Sequence, residues 1–100
     1  MSKKVPRIPK KEMYEAILQL ETLEECMDFF RDICAERELS SMEQRFEVAR
    51  LLDQDMVYAD ISRRTNASTA TISRVSRMLN DGTGMLEKSL KRMKEKEECR

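Results

Sequence analysis

Histidine and tryptophan are absent from the 100 residues, and glycine and proline number two each. Without histidine the commonest general base and the commonest zinc ligand are missing. No glycine-rich phosphate loop and no nucleophile with a plausible base partner takes their place. An enzyme is therefore not expected. The three cysteines, Cys26, Cys34 and Cys99, lack metal-ligand spacing, so neither a metal nor another cofactor is expected. If residues 22 to 38 form one helix, Cys26 and Cys34 stand about 12 Å apart along its axis, too far for a disulfide. They read as small buried hydrophobes of a reducing compartment. No apolar run is long enough to span a bilayer or to act as a secretory signal, which points to a cytoplasmic protein without a membrane partner.

Net charge is also lacking, with 19 basic and 19 acidic side chains, and this argues at first against a nucleic-acid partner. The balance hides a division. Residues 1 to 10 carry four basic and no acidic side chains, residues 11 to 55 carry five and thirteen, and residues 56 to 100 carry ten and six. An anionic partner would meet the two ends of the chain rather than its middle.

What is present is helical pattern. A basic arm over residues 1 to 9, with Pro6 and Pro9, resists helix formation. From Lys10 to Leu20, Met13, Ala16, Ile17 and Leu20 recur at helical intervals. Thr22-Leu23-Glu24-Glu25 is a capping box that opens a second helix with Cys26, Met27, Phe30, Ile33 and Cys34 on one face. Ser40-Ser41-Met42-Glu43 predicts the start of a third, carrying Phe46, Val48, Ala49, Leu51 and Leu52 to about Asp55. Asp81-Gly82-Thr83-Gly84 separates a fifth helix from a sixth with Met85, Leu86, Leu90 and Met93, whose charged end frays from about residue 96. The prediction is an all-α chain of six helices, with one domain over residues 10 to 95.

The most informative stretch is Ala59 to Arg77, which reads as two short helices joined by a tight turn at about 58 to 80. Ile61, Ala67, Ile72 and Val75 supply the apolar positions where the two helices would touch. Asn66 stands at the turn, and asparagine is a frequent non-glycine visitor to the left-handed region. Ser68 suits the N-cap of the second helix. Thr69, Ala70, Ser73, Arg74 and Arg77 then point outward, small or basic, as a reader of the DNA major groove requires. The same residues would serve a plain helical hairpin with a solvated arginine face. Agreement of contacts, turn, cap and exposed charge within one window favours the reader.

At these residues the chain resembles the Trp-repressor superfamily, in its small YerC/YecD-type branch, over about Glu36 to Leu90. The most specific match is Ala70-Thr71-Ile72-Ser73-Arg74, preceded by a helix resembling Asp60 to Thr65. The resemblance implies an intertwined all-α homodimer with two reading heads about one DNA turn, roughly 34 Å, apart. It also raises the question of a tryptophan corepressor, for which Trp repressors carry glycine at the position matching Val75 and an arginine near Gln44. Only Arg74 is retained, so tryptophan binding is not expected.

The expected function is that of a homodimeric, sequence-specific DNA-binding regulator, a repressor by resemblance. Thr69, Ala70 and Ser73 would face base edges, and Arg63, Arg64, Arg74 and Arg77 would hold phosphates. Eight methionines and the broad stripes of the second and third helices suit burial against a second copy. The alternative, favoured by the zero net charge, is a protein-interaction module that keeps the same scaffold without binding DNA.

Overall fold

The computed structural model describes residues 7 to 98. Six of the nine arm residues, together with Cys99 and Arg100, lie outside the described residues; residues 7 to 10 are exposed and without regular structure. The helices are α1 (Lys11–Leu18), α2 (Leu23–Ile33), α3 (Glu36–Asp53), α4 (Tyr58–Thr65), α5 (Thr69–Asp81) and α6 (Met85–Glu98). Among the described residues there is no strand, and no helix is long and apolar enough to cross a membrane. The all-α expectation holds. The chain divides into two compact units, one reaching Glu36 and the other starting at Arg37.

The first unit carries α1 and α2. Thr22 caps α2 as its spacing predicts, its hydroxyl oxygen accepting from the Glu25 N–H at 3.0 Å. The Glu25 carboxylate reaches back to the Glu21 N–H at 2.9 Å. Phe29 and Phe30 meet edge to face, with ring centroids 5.4 Å apart. Neither helix contains a buried residue, and Leu18 and Leu23 are 80% and 76% exposed. The apolar stripes legible in the sequence are thus formed and left largely uncovered.

Two boundaries depart from expectation. A single helix over 22 to 38 does not form, because Cys34 at the end of α2 is extended (φ −113°, ψ 144°). Cys26 and Cys34 are half-buried free thiols. Nor does α3 start at the Ser40 to Glu43 box. It starts at Glu36, and both serines lie inside it. Glu36, Arg37, Glu38 and Leu39 are good helix formers, and two acids beside a helix N-terminus are favoured by its dipole. A serine flanked by helix formers on both sides is accommodated rather than used as a cap. At the other end of the chain, α6 continues to Glu98, beyond the expected fraying point.

The second unit holds the core. Val48, Ala49 and Leu51 from α3, Ile61 from α4, Ala67 from the turn, Ile72 and Val75 from α5 and Leu90 from α6 are all buried. Leu52, Met56, Leu79 and Leu86 pack around them. In α3 the burial is confined to the C-terminal half, since Met42 and Phe46 remain exposed.

Each connection in this unit has a chemical cause. After α3 the chain turns through Asp55 in the left-handed region (φ 62°). The Met56 N–H donates to the Leu51 carbonyl and the Asp55 N–H to the Leu52 carbonyl, the paired bonds of a Schellman end, with Met56 folding back onto the core. An L-residue with a side chain is strained there, and a carboxylate beside a helix C-terminus is disfavoured. Asp55→Gly is expected to raise the unfolding free energy by about 0.5–1 kcal/mol, read from the urea midpoint at unchanged m-value; a lower midpoint would contradict the strain. Past α5, a Cβ at Gly82 would come within 2.6 Å of the Met78 carbonyl oxygen, and Gly84 takes φ +93°. A side chain at either position would disturb the step into α6.

Candidate nucleic-acid interface

Helix α4, residues 66 to 68 and helix α5 form a helix, turn and helix in one continuous segment. The turn is determined residue by residue. Asn66 is left-handed (φ 62°, ψ 17°), and its N–H closes α4 by donating to the Ser62 carbonyl at 2.8 Å. The Ser62 hydroxyl donates to the Ala67 carbonyl at 2.8 Å, and the Ala67 N–H donates to Thr65 Oγ1 at 3.2 Å. Thr65 Oγ1 in turn donates to the Ile61 carbonyl at 2.8 Å. Ser68 caps α5, its hydroxyl oxygen accepting from the Thr71 N–H at 3.1 Å. One group is supplied from farther away, since Gln44 Nε2 on α3 donates to the Thr65 carbonyl at 3.1 Å.

On the inner side of this segment Ile61, Ala67, Ile72 and Val75 are buried. On the outer side Thr69, Ala70, Arg74 and Arg77 are exposed and Ser73 is half-buried. The spacing of 69, 70, 73, 74 and 77 sets these five on one side of α5. No acidic residue occupies the first turn of α5, so its N-terminal N–H groups and dipole present partial positive charge beside Thr69 and Ala70. Among the described residues neither Arg74 nor Arg77 takes part in an ion pair.

The α4 arginines differ from these two. Arg63 Nη2 donates to Asp60 Oδ1 at 2.7 Å on a largely exposed surface, a pair of small energetic weight that competes only weakly with another anion. Arg64 is exposed and near enough to Glu47 to help hold that carboxyl below its ordinary range. The larger cause is Arg50, whose Nε and Nη2 donate to the two Glu47 oxygens at 3.0 and 2.8 Å, with burial opposing.

Three contributors to this geometry were not singled out by sequence pattern: Ser62, Thr65 and Gln44. Ser62 and Thr65 are signalled only by their proximity to Asn66, since short hydroxyl side chains beside a turn residue commonly bond local backbone. Gln44 acts on a carbonyl 21 residues away and leaves no local pattern. No group of three or more potential metal ligands occurs among the described residues.

A model of the family described as Trp repressor protein matches residues 10–94. The chain belongs to that family. It is 49% identical over 86 residues to the uncharacterized protein YerC of Bacillus subtilis (strain 168), covering 86% of this chain and 83% of YerC. A crystal structure of a Staphylococcus aureus protein, described as a candidate Trp repressor, superposes with a TM-score of 0.80 at 45% identity over 84% of each chain. A TrpR-like protein from Eubacterium eligens ATCC 27750 gives 0.80 at 46% identity over 83% of this chain and 86% of its own. The family match extends from α1 into α6, and so takes in the uncovered helices of the first unit as well as the helix, turn and helix. The expected resemblance to a YerC-type Trp-repressor-like protein holds.

Proposed function

We propose that this member of the Trp repressor protein family is a sequence-specific DNA-binding transcriptional regulator that reads the major groove with α5. The observation that carries the proposal is the outer side of α5, where Thr69, Ala70, Ser73, Arg74 and Arg77 surround a helix N-terminus free of acid, above a fully apolar inner side. Thr69, Ala70 and Ser73 are short enough to let the helix approach base edges and thymine methyl groups. Arg63, Arg64, Arg74 and Arg77 hold phosphates and set register more than sequence. With few long side chains directed at bases, part of the specificity comes from DNA shape.

The proposal includes a homodimer. In α1 and α2 no residue is buried, Leu18, Leu23, Met27 and Ile33 are exposed, and on α3 Met42 and Phe46 are exposed as well. A second copy would cover such faces and supply a second reading head. Tryptophan has no part in the proposed mechanism. Val75, at the position where the resemblance would place a glycine, carries an isopropyl group buried in the core, and the Gln44 amide is committed to the Thr65 carbonyl.

Selection of bound duplexes from a random pool, followed by a salt titration on the selected sequence, tests the reading. The expected result is a palindromic site, an affinity that falls steeply with salt, and no change on adding L-tryptophan. In the Arg77→Ala variant, selected and unrelated sequences are to weaken alike and the salt slope is to fall by about two, one phosphate contact being lost from each protomer. No binding even at low salt would replace this reading with that of a protein-interaction module, which the zero net charge favours.

A further inference from the structure

The hydrogen bonds that shape the turn are nearly all local, running between residues 61 and 71. They shape the turn, but its opening as a body is also opposed by what ties it to the rest of the domain. What relates that body to α3 is of two kinds. One is the apolar contact of Ile61, Ala67, Ile72 and Val75 with the core, which is strong but non-directional. The other is the bond from Gln44 Nε2 to the Thr65 carbonyl, 3.1 Å long and half-buried, between residues 21 apart in sequence. The side-chain hydrogen bonds described above otherwise join residues no more than five apart.

The position of this bond matters as much as its span. Thr65 is the last residue of α4, where carbonyls lack helical partners, and it precedes the left-handed Asn66 that redirects the chain into α5. A donor at that carbonyl adds a directional tie to α3 where the apolar contacts are non-directional. It is also beside an open groove bordered by Ser40, Glu43, Glu47 and Asn66. Water can therefore reach the carbonyl if the amide is removed, and the loss of one exposed-side bond does not leave a buried orphan.

We infer that Gln44 is a positioning residue for DNA reading: its amide holds the α4–α5 turn at a fixed angle to α3 and so sets the angle at which α5 is presented. The role rests on the DNA-reading proposal, and it separates orientation of the reading helix from folding of the domain. Gln44→Glu keeps the shape and removes the donor; Gln44→Ala removes both; Gln44→Lys restores a donor.

The test combines hydrogen exchange of the free proteins with DNA binding, comparing the duplex selected from the random pool with poly(dI-dC). In Gln44→Glu and Gln44→Ala, the Asn66 and Ala67 amides are to exchange at least about 5-fold faster. The thermal midpoint is to move by less than about 8 °C, as one net hydrogen bond implies. The ratio of selected to non-specific affinity is to fall roughly 10-fold, within the range by which residues coupled to a site but not touching its ligand act. Gln44→Lys is to recover that ratio to within about 3-fold, the ratio cancelling its added charge. Unchanged exchange and an unchanged ratio in Gln44→Glu would overturn the inference. So would equal weakening on both DNAs, which would mark Gln44 as merely structural. A wild-type protein that does not prefer the selected duplex would overturn the DNA reading and with it this role, and exchange would still report whether the tie to Thr65 holds.

Discussion

Ile72→Ala is expected to lower the unfolding free energy by about 2–5 kcal/mol, the cost of deleting a fully buried branched side chain and leaving a cavity. Ile72 is 0% exposed and shares one buried cluster with Ile61, Ala67 and Val75. A domain of this size has only about 5–15 kcal/mol to lose, and the variant should be substantially unfolded by mild urea. Urea titration followed by circular dichroism, at one fixed protein concentration because association would shift the midpoint, measures it. A loss below about 1 kcal/mol would show that α5 does not rest on the core through this residue. Ile61→Ala, at the matching position on α4, should behave alike because Ile61 is equally buried.

Ala70→Glu is expected to have the opposite profile, leaving the fold intact while reducing DNA affinity on the order of 100-fold. Ala70 is exposed in the first turn of α5, where a carboxylate interacts favourably with the helix dipole, worth about 0.3–1 kcal/mol. The Ser68 cap is untouched, because its partner is the Thr71 backbone. Against DNA the same carboxylate would face phosphates and base acceptors, and like-charge contact at an interface costs several kcal/mol, of which about 2.7 already amounts to 100-fold. Denaturation and binding curves on the same preparation separate the two effects. Retained affinity would remove the first turn of α5 from the interface and overturn the proposed docking.

The contrast between these variants reflects what in the chain was legible before its structure. The helix, turn and helix could be read because its determinants are local. Isoleucines at helical spacing, an asparagine able to adopt positive φ and a serine followed three residues on by a free backbone N–H all lie within 20 residues. The start of α3 departs from its local signal for the complementary reason. Ser40 to Glu43 has the composition of a cap, but whether a serine caps or continues a helix depends on what precedes it, and Glu36 to Leu39 sustain the helix through it. Gln44 was legible only as a position where the resemblance would have placed an arginine, since its partner is brought close by the packing of α4 on α3. The stripes of α1 and α2 were visible as amphipathic pattern but their exposure was not, because spacing records which residues share a face and not whether anything packs against it.

The turn between α4 and α5 has a consequence for how this helix pair can change. The residues that build it, Ile61, Ser62, Thr65, Asn66, Ala67, Ser68, Ile72 and Val75, share no member with Thr69, Ala70, Ser73, Arg74 and Arg77 on the outer side. Substitution in the second set leaves every bond of the first in place. If α5 reads DNA as proposed, a duplicated copy of this chain could drift toward new target sequences along those five positions while folding as before, so that target choice and foldability are free to evolve independently.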